Sequence, residues 1–393
     1  MIDWTTSNIS NPNKKRFYSL MQKMQRYIAS WTQIKNYIVP TRGQFNNSQP
    51  IYGQMIDHKL LIDSHATHAN RILASGLNSG MTSKSRPWFR LTLEDQKQLE
   101  IPGVKEWLNF VQNQMRNVLD KSNLYGCFQS CYEELGSFAT GCFIILEDYD
   151  SVIRGRSFTC GEYALGTDSK GRVNSFARQF WMTVDQVVKE YGLESCSKSV
   201  QSKYSQNGKE EPVNIYHLIE ENDGREANKV DNQNREYRSV YWEATEAGDN
   251  YLRKSGYRKF PVIAPRWDVA TTDMVYGSGP GWDALGYIKE LQKTRFDKLL
   301  AQEKSHNPPM LQDGSVENSD FLPGGITKTS ENVRDAGVRP SYEINVNLES
   351  FIQLINEEHE SIDRFYYVKL FLMLINIDTG KMTATQVAQG QQE

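Results

Sequence analysis

The chain has 393 residues, too many for one ordinary core at about 150 residues per domain, and its formal net charge of −3 excludes the strong cationic footprint of a tight DNA binder. With 38% hydrophobic and 24% charged residues and a mean hydropathy of −0.62, it reads as a soluble protein with much polar surface. Five cysteines without framework spacing point to free thiols in a reducing compartment, and the N-terminus lacks the basic-then-apolar layout of a secretion signal.

From Asn13, apolar residues recur at three- and four-residue spacings from Phe17 through Trp31 to Ile38, predicting an amphipathic helix that stops at Pro40. A second helix is expected from about His58 to Gly80, with Ala74, Gly76, Ser79 and Gly80 giving a face that another backbone can approach and Gly80 serving as C-cap. Pro87 then bars helix, and Trp88, Phe89 and Leu91 predict a strand buried on one side. A third helix from Pro102 through Lys121 should turn Trp107, Phe110, Val111, Val118 and Leu119 inward, and a fourth should run from about Phe128 to Phe138.

The period then changes. Cys142 to Glu147 reads as a strand, and Tyr163–Gly166 and Val173–Trp181 flank the turn Asp168-Ser-Lys-Gly171 as a hairpin. Thr183 caps a short helix to Tyr191, and strands follow at Val213–Ile219, Tyr237–Ala244 and Phe260–Ala264, with a polar hairpin tip between Glu220 and Glu236. A helix from Gly281 to Lys304 would be about 36 Å long at ~1.5 Å per residue. Leu285, Ile288, Phe296, Leu299 and Leu300 form its apolar stripe, and Lys289, Lys293, Arg295 and Lys298 its basic surface. After a Gly/Pro-rich, β-containing segment between Met310 and Asn345, a second long helix begins near Asn347. In it Leu348, Ile352, Ile355, His359, Ile362 and Tyr366 keep heptad-like spacing beside an acidic surface of Glu349, Glu357, Glu358, Glu360 and Asp363. Lys289–Lys298 and Glu357–Asp363 could then pair across helices, within a chain or between neighbours. The run Phe365–Ile377 contains Lys369 and falls short of the ~20 residues that span a bilayer, so no membrane is expected.

Sites for chemistry are sparse. Asp57, His58, Asp63, His65 and His68 cluster in sequence, and His65 and His68 at i, i+3 could share a helix face as metal ligands. A soluble metal- or phosphate-dependent hydrolase would use Asp63, His65 and His68, but no completing ligand is obvious and polar residues on a half-exposed helix are the favoured reading. Cys127 and Cys131 sit one turn apart among aromatics and read as core thiols. Gly277-Ser-Gly-Pro-Gly281 precedes a helix like a phosphate loop, yet no Gly-Lys-Ser/Thr follows and Pro280 removes a donor. Neither catalytic residues nor a cofactor can be named.

One resemblance organises the rest. In chain order, the segment Tyr37–Phe45, the stretch Leu73–Leu91 with its Ser83-Lys-Ser-Arg-Pro-Trp-Phe-Arg-Leu end, the run Arg178–Val188 and the turn Tyr276–Leu285 resemble the portal or head-to-tail connector proteins of short-tailed, podovirus-like bacteriophages. Phe321-Leu-Pro-Gly-Gly-Ile326 and Lys381-Met-Thr-Ala-Thr-Gln-Val387 extend the match. The resemblance implies an α+β portal fold: a mixed wing (1–273), a first stem helix (274–308), a small β-containing clip (309–345), a second stem helix (346–369), and a channel loop with the start of a crown-proximal helix (370–393). The crown itself is expected to lie outside this chain.

It further implies a homo-oligomeric ring, typically a dodecamer, at one capsid vertex of a virion assembled in the host cytoplasm. Double-stranded DNA would be packaged and ejected through the ring without sequence specificity, and terminase, a tail adaptor, capsid and scaffolding proteins would be its partners. On this mapping Asn376, Asp378, Thr379 and Lys381 face the DNA channel, and Asp313, Asn318, Asp320 and Pro323 dock terminase and tail. Arg86, Trp88, Arg90, Lys293 and Glu357 are the candidates for packing within or between subunits. A tail adaptor is a further alternative, disfavoured by the paired long helices.

Overall fold

The computed structural model describes residues 11–45, 61–226, 228–229, 231–245, 250–308, 310–312, 338–340 and 348–378. Helix α1 (Pro12–Tyr37) starts where the Asn11 side chain accepts hydrogen bonds from the backbone of Asn13 and Lys14, with Pro12 preset for the first turn. Helices α2 (His65–Met81), α3 (Gln96–Leu99), α4 (Val104–Lys121) and α5 (Leu124–Phe138) follow. A hairpin of β1 (Cys142–Asp148) and β2 (Val152–Phe158) leads to β3 (Tyr163–Thr167) and β4 (Val173–Thr183). Two short helices, α6 (Val184–Tyr191) and α7 (Lys198–Ser205), precede β5 (Pro212–Glu221), β6 (Tyr237–Glu243), β7 (Arg253–Tyr257) and β8 (Val262–Ile263). The rest comprises α8 (Pro280–Asp283), α9 (Leu285–His306), β9 (Met310–Gln312), β10 (Val338–Pro340), α10 (Leu348–Phe365) and α11 (Val368–Asp378).

Strands β3 to β7 form an antiparallel meander in sequence order, each hydrogen-bonded to the next, while β1 sits between β2 and β8 in a separate three-stranded sheet. Strands β9 and β10 pair antiparallel between the two long helices, as a β-containing insertion requires. Thr183 closes a capping box with Gln186, each side chain bonding the other's backbone N–H, so the turn from β4 into α6 is fixed locally.

One face of α1 lies on the meander and builds an aromatic core. Phe17 stacks on Tyr216 at 4.5 Å and meets Trp242 edge-on at 5.3 Å, while Trp31 meets Tyr276 edge-on at 4.8 Å. The segment after α1 is pinned to α5. Arg42 bonds Glu133 at 2.5 Å and reaches buried Glu134, which also accepts from Thr159 and from the Cys160 backbone, and Gly43 takes the positive φ that the turn needs.

Several expectations are corrected. Residues 61–64 are not helical: α2 begins at His65 and runs one residue past Gly80, with Thr82 as its C-cap. Residues 87–91 take no regular secondary structure and pair with no described strand, and Trp88, Phe89 and Leu91 are only half-buried. Helix α4 starts two residues after Pro102 and buries Leu108, while Trp107 and Phe110 stand 62% and 61% exposed. At 100° per residue those two aromatics lie well round from Leu108, on a flank that none of the described elements covers. The stem helix predicted from Gly281 is two helices offset at Ala284, and Phe296 and Leu299 of its apolar stripe are exposed. Strands β2 and β7 and helix α7 have no counterpart in the expectations: Val152–Phe158 and Arg253–Tyr257 carry charges and a glycine that hide their alternation.

Candidate functional site

A polar network of Asp63, His65, Gln292, Arg295, His359 and Asp363 sits where the entry to α2 meets α9 and α10. Gln292, buried on α9, accepts from the backbone N–H of Ile62 and Asp63 and donates to the Asp63 carbonyl, fixing the entry to α2. The Asp63 carboxylate accepts from the backbone of His65 (2.8 Å), from Arg295 Nε on α9 (2.7 Å) and from His359 Nε2 on α10 (3.2 Å). His65 meets Asp363 of α10 at 2.8 Å, and the rings of His65 and His359 stack with centroids 3.9 Å apart. Burial pushes the Asp63 carboxyl up, but the His65 backbone, His359 and Arg295 outweigh it and hold it below its ordinary value. Burial, with His65 beside it, depresses His359 against the pull of Asp63.

Further along α2 the small-residue face does what was expected at one position. A Cβ on Gly76 would lie 2.1 Å from the ring of Phe371, so this glycine is the seat of α11. Gly80 has open space around it and seats nothing. At the start of α8, a Cβ on Gly281 would meet the Ser137 carbonyl at 2.2 Å. The glycine-rich turn therefore serves close helix packing against α5, which answers the phosphate-loop resemblance.

A second feature is an apolar cavity of about 650 Å³ beneath α4 and residues 87–91. Trp88, Phe89, Met115, Leu119, Phe128 and Phe143 are among its walls, and Trp88 donates its N–H to the Tyr125 hydroxyl at 3.2 Å. Burial pushes the Cys131 thiol in the same wall up to about 12, so it is a core thiol and not a thiolate ligand.

The expected site residues fall as follows. Arg86 and Arg90 are exposed beside half-buried Trp88. Lys293 and Glu357 are exposed on α9 and α10, and among the described residues neither enters an ion pair within the chain. Within the chain, Arg295 of the basic surface goes to Asp63, and Glu358 of the acidic surface accepts from Thr294 at 2.7 Å. Asn376 and Asp378 belong to the last turn of α11. Thr379, Lys381, Asp313, Asn318, Asp320 and Pro323 lie outside the described residues.

Of the hydrolase set, Asp63 and His65 are drawn into the network above while His68 is exposed and apart. Among the described residues no group of His, Cys, Asp or Glu has metal-binding geometry, and no helix is long and apolar enough to cross a membrane. The partners of Asp63 and His65, namely Arg295, His359 and Asp363, were not singled out as a site in sequence. The one local signal was a histidine at an apolar heptad position, His359.

Residues 11–393 match the family described as bacteriophage head to tail connecting protein. The chain is 37% identical over 380 residues to the probable portal protein of Bordetella phage BPP-1, and 36% identical over 381 residues to the portal protein of Salmonella phage epsilon15. Each match covers 96% of this chain and 68% of the relative. Match length and identity together establish that the chain belongs to the bacteriophage head-to-tail connecting proteins, the portal family, as a structural connector and not an enzyme.

Proposed function

We propose that copies of this chain close into a ring, of twelve on the family's pattern, at one vertex of the capsid, and that double-stranded DNA enters and leaves the head through its centre. The observation that carries this reading is a pair of unpartnered, complementary faces on the two long helices. Helix α9 presents Lys293 with exposed Phe296 and Leu299, and α10 presents Glu357 with exposed Leu354 on the same flank. A heterologous contact between two different patches is what a closed ring needs, and opposite charge sets its register. A chain of net charge −3 suits a conduit that DNA passes without being gripped.

On this reading α8, α9 and α10 form the stem and the insertion between them the clip that meets terminase and then the tail adaptor. The elements up to β8 form the wing, facing capsid and scaffolding proteins. Asn376, Asp378, Thr379 and Lys381 are then the side chains nearest the DNA. Charge reversal tests the interface. Lys293→Glu and Glu357→Lys, made singly, are expected to lower the yield of rings on size-exclusion chromatography, and the double exchange to restore it. Rings formed equally well by both single variants would reject this pairing.

A further inference from the structure

The network at the root of the long helices has the makings of a proton-operated device. Three elements meet there: the entry to α2 brings Asp63 and His65, α9 brings Arg295, and α10 brings His359, Asp363 and buried Glu358. Each imidazole points its Nε2 at a carboxylate, so both rings are satisfied while neutral by donating that N–H, and an added proton must go to Nδ1. Because the rings are stacked at 3.9 Å with planes 14° apart, two charged imidazoles would face each other in direct contact.

Counting only Asp63, Asp363 and Arg295, the cluster carries −1 with both histidines neutral, 0 with one proton and +1 with two. The first proton is therefore accommodated and the second opposed, by the other ring and by Arg295. We propose that the stacked pair His65 and His359 is a latch joining α2 to the long helices, closed while the pair holds at most one proton and released when both rings are charged. The latch lies within one copy and does not depend on ring closure.

The depressed protonation of His359 agrees in sign. A histidine that resists its proton in the folded state adds stability above its ordinary value of 6.5, and that stability declines as pH falls below it. Glu358, raised by burial despite the Thr294 hydrogen bond and with Glu290 acting on it, also faces the site. The packing of α11 on α2, with Phe371 seated on Gly76, does not involve the two histidines.

Hydrogen–deuterium exchange of the full chain between about pH 8 and about pH 5, corrected for the intrinsic rate, reads the latch. Amides of Asp63, His65 and the last turns of α10 are expected to exchange at least about tenfold faster on the acid side of a step near the histidine range, while β4 and β5 stay protected. His359→Gln should remove the step by leaving a single titrating ring, and His65→Gln serves the same purpose if His359→Gln does not fold. A wild-type chain without a step, or a step that survives in the folded variant, would overturn the proposal.

Discussion

The meander with α1 and the shelf built by α4 and residues 83–95 differ in how completely they satisfy themselves. In the first, aromatic rings stack from both sides and Trp242, Phe17 and Phe176 are fully buried. In the second, an 18-residue helix buries one side chain, Leu108, and props two exposed aromatics beside an apolar cavity of about 650 Å³. A single copy is thus a finished core joined to an unfinished surface. Large exposed apolar patches on a chain that folds well elsewhere are the mark of association.

The comparison breaks first if the core is not what holds the chain. Trp242→Ala should destabilise by about 3–5 kcal/mol in urea unfolding, because its neighbours Phe17, Tyr216 and Tyr251 cannot close the space. Next, two glycines on one helix should respond oppositely. Gly76→Val forces a branched side chain into Phe371 and should cost about 1–3 kcal/mol, whereas Gly80→Ala, with open space around it, should gain about 0.5–1 kcal/mol. The smallest effect on stability is expected at the shelf. Trp107→Ser should change unfolding by no more than about 0.5 kcal/mol yet reduce assembly, since its ring touches solvent in the single copy. A large loss of stability there would mean that the shelf is core after all.

What could be read from the sequence follows the same division. Where one strong rule governs, the reading held: the i, i+3, i+4 spacing of α1, the Asp168–Gly171 turn, and the cap at Thr183 each determine structure within a few residues. Periodicity failed where apolar residues at helical spacing stay exposed in the single copy. Trp107, Phe110, Phe296 and Leu299 keep helical spacing, and a pattern reader places them inside because spacing cannot distinguish a core from an interface. The polar junction escaped for another reason. Asp63, Arg295, His359 and Asp363 are separated by up to 300 positions, and only the packing of α2 on the helix pair makes them neighbours. The family, in contrast, was legible because its motifs are glycine, proline and aromatic positions. Arg42 meets the buried Glu134 carboxylate, Gly43 sits at positive φ against the rings of Phe45 and Phe138, and a Cβ on Gly281 would meet backbone, which leaves little choice of residue.

The most direct test of the account is negative-stain electron microscopy of the purified chain, with particle mass measured on the same sample. The account predicts closed rings with a central hole and a mass that is an integral multiple of 45.2 kDa. Particles of single-copy mass without a hole, at every concentration and salt tried, would contradict it.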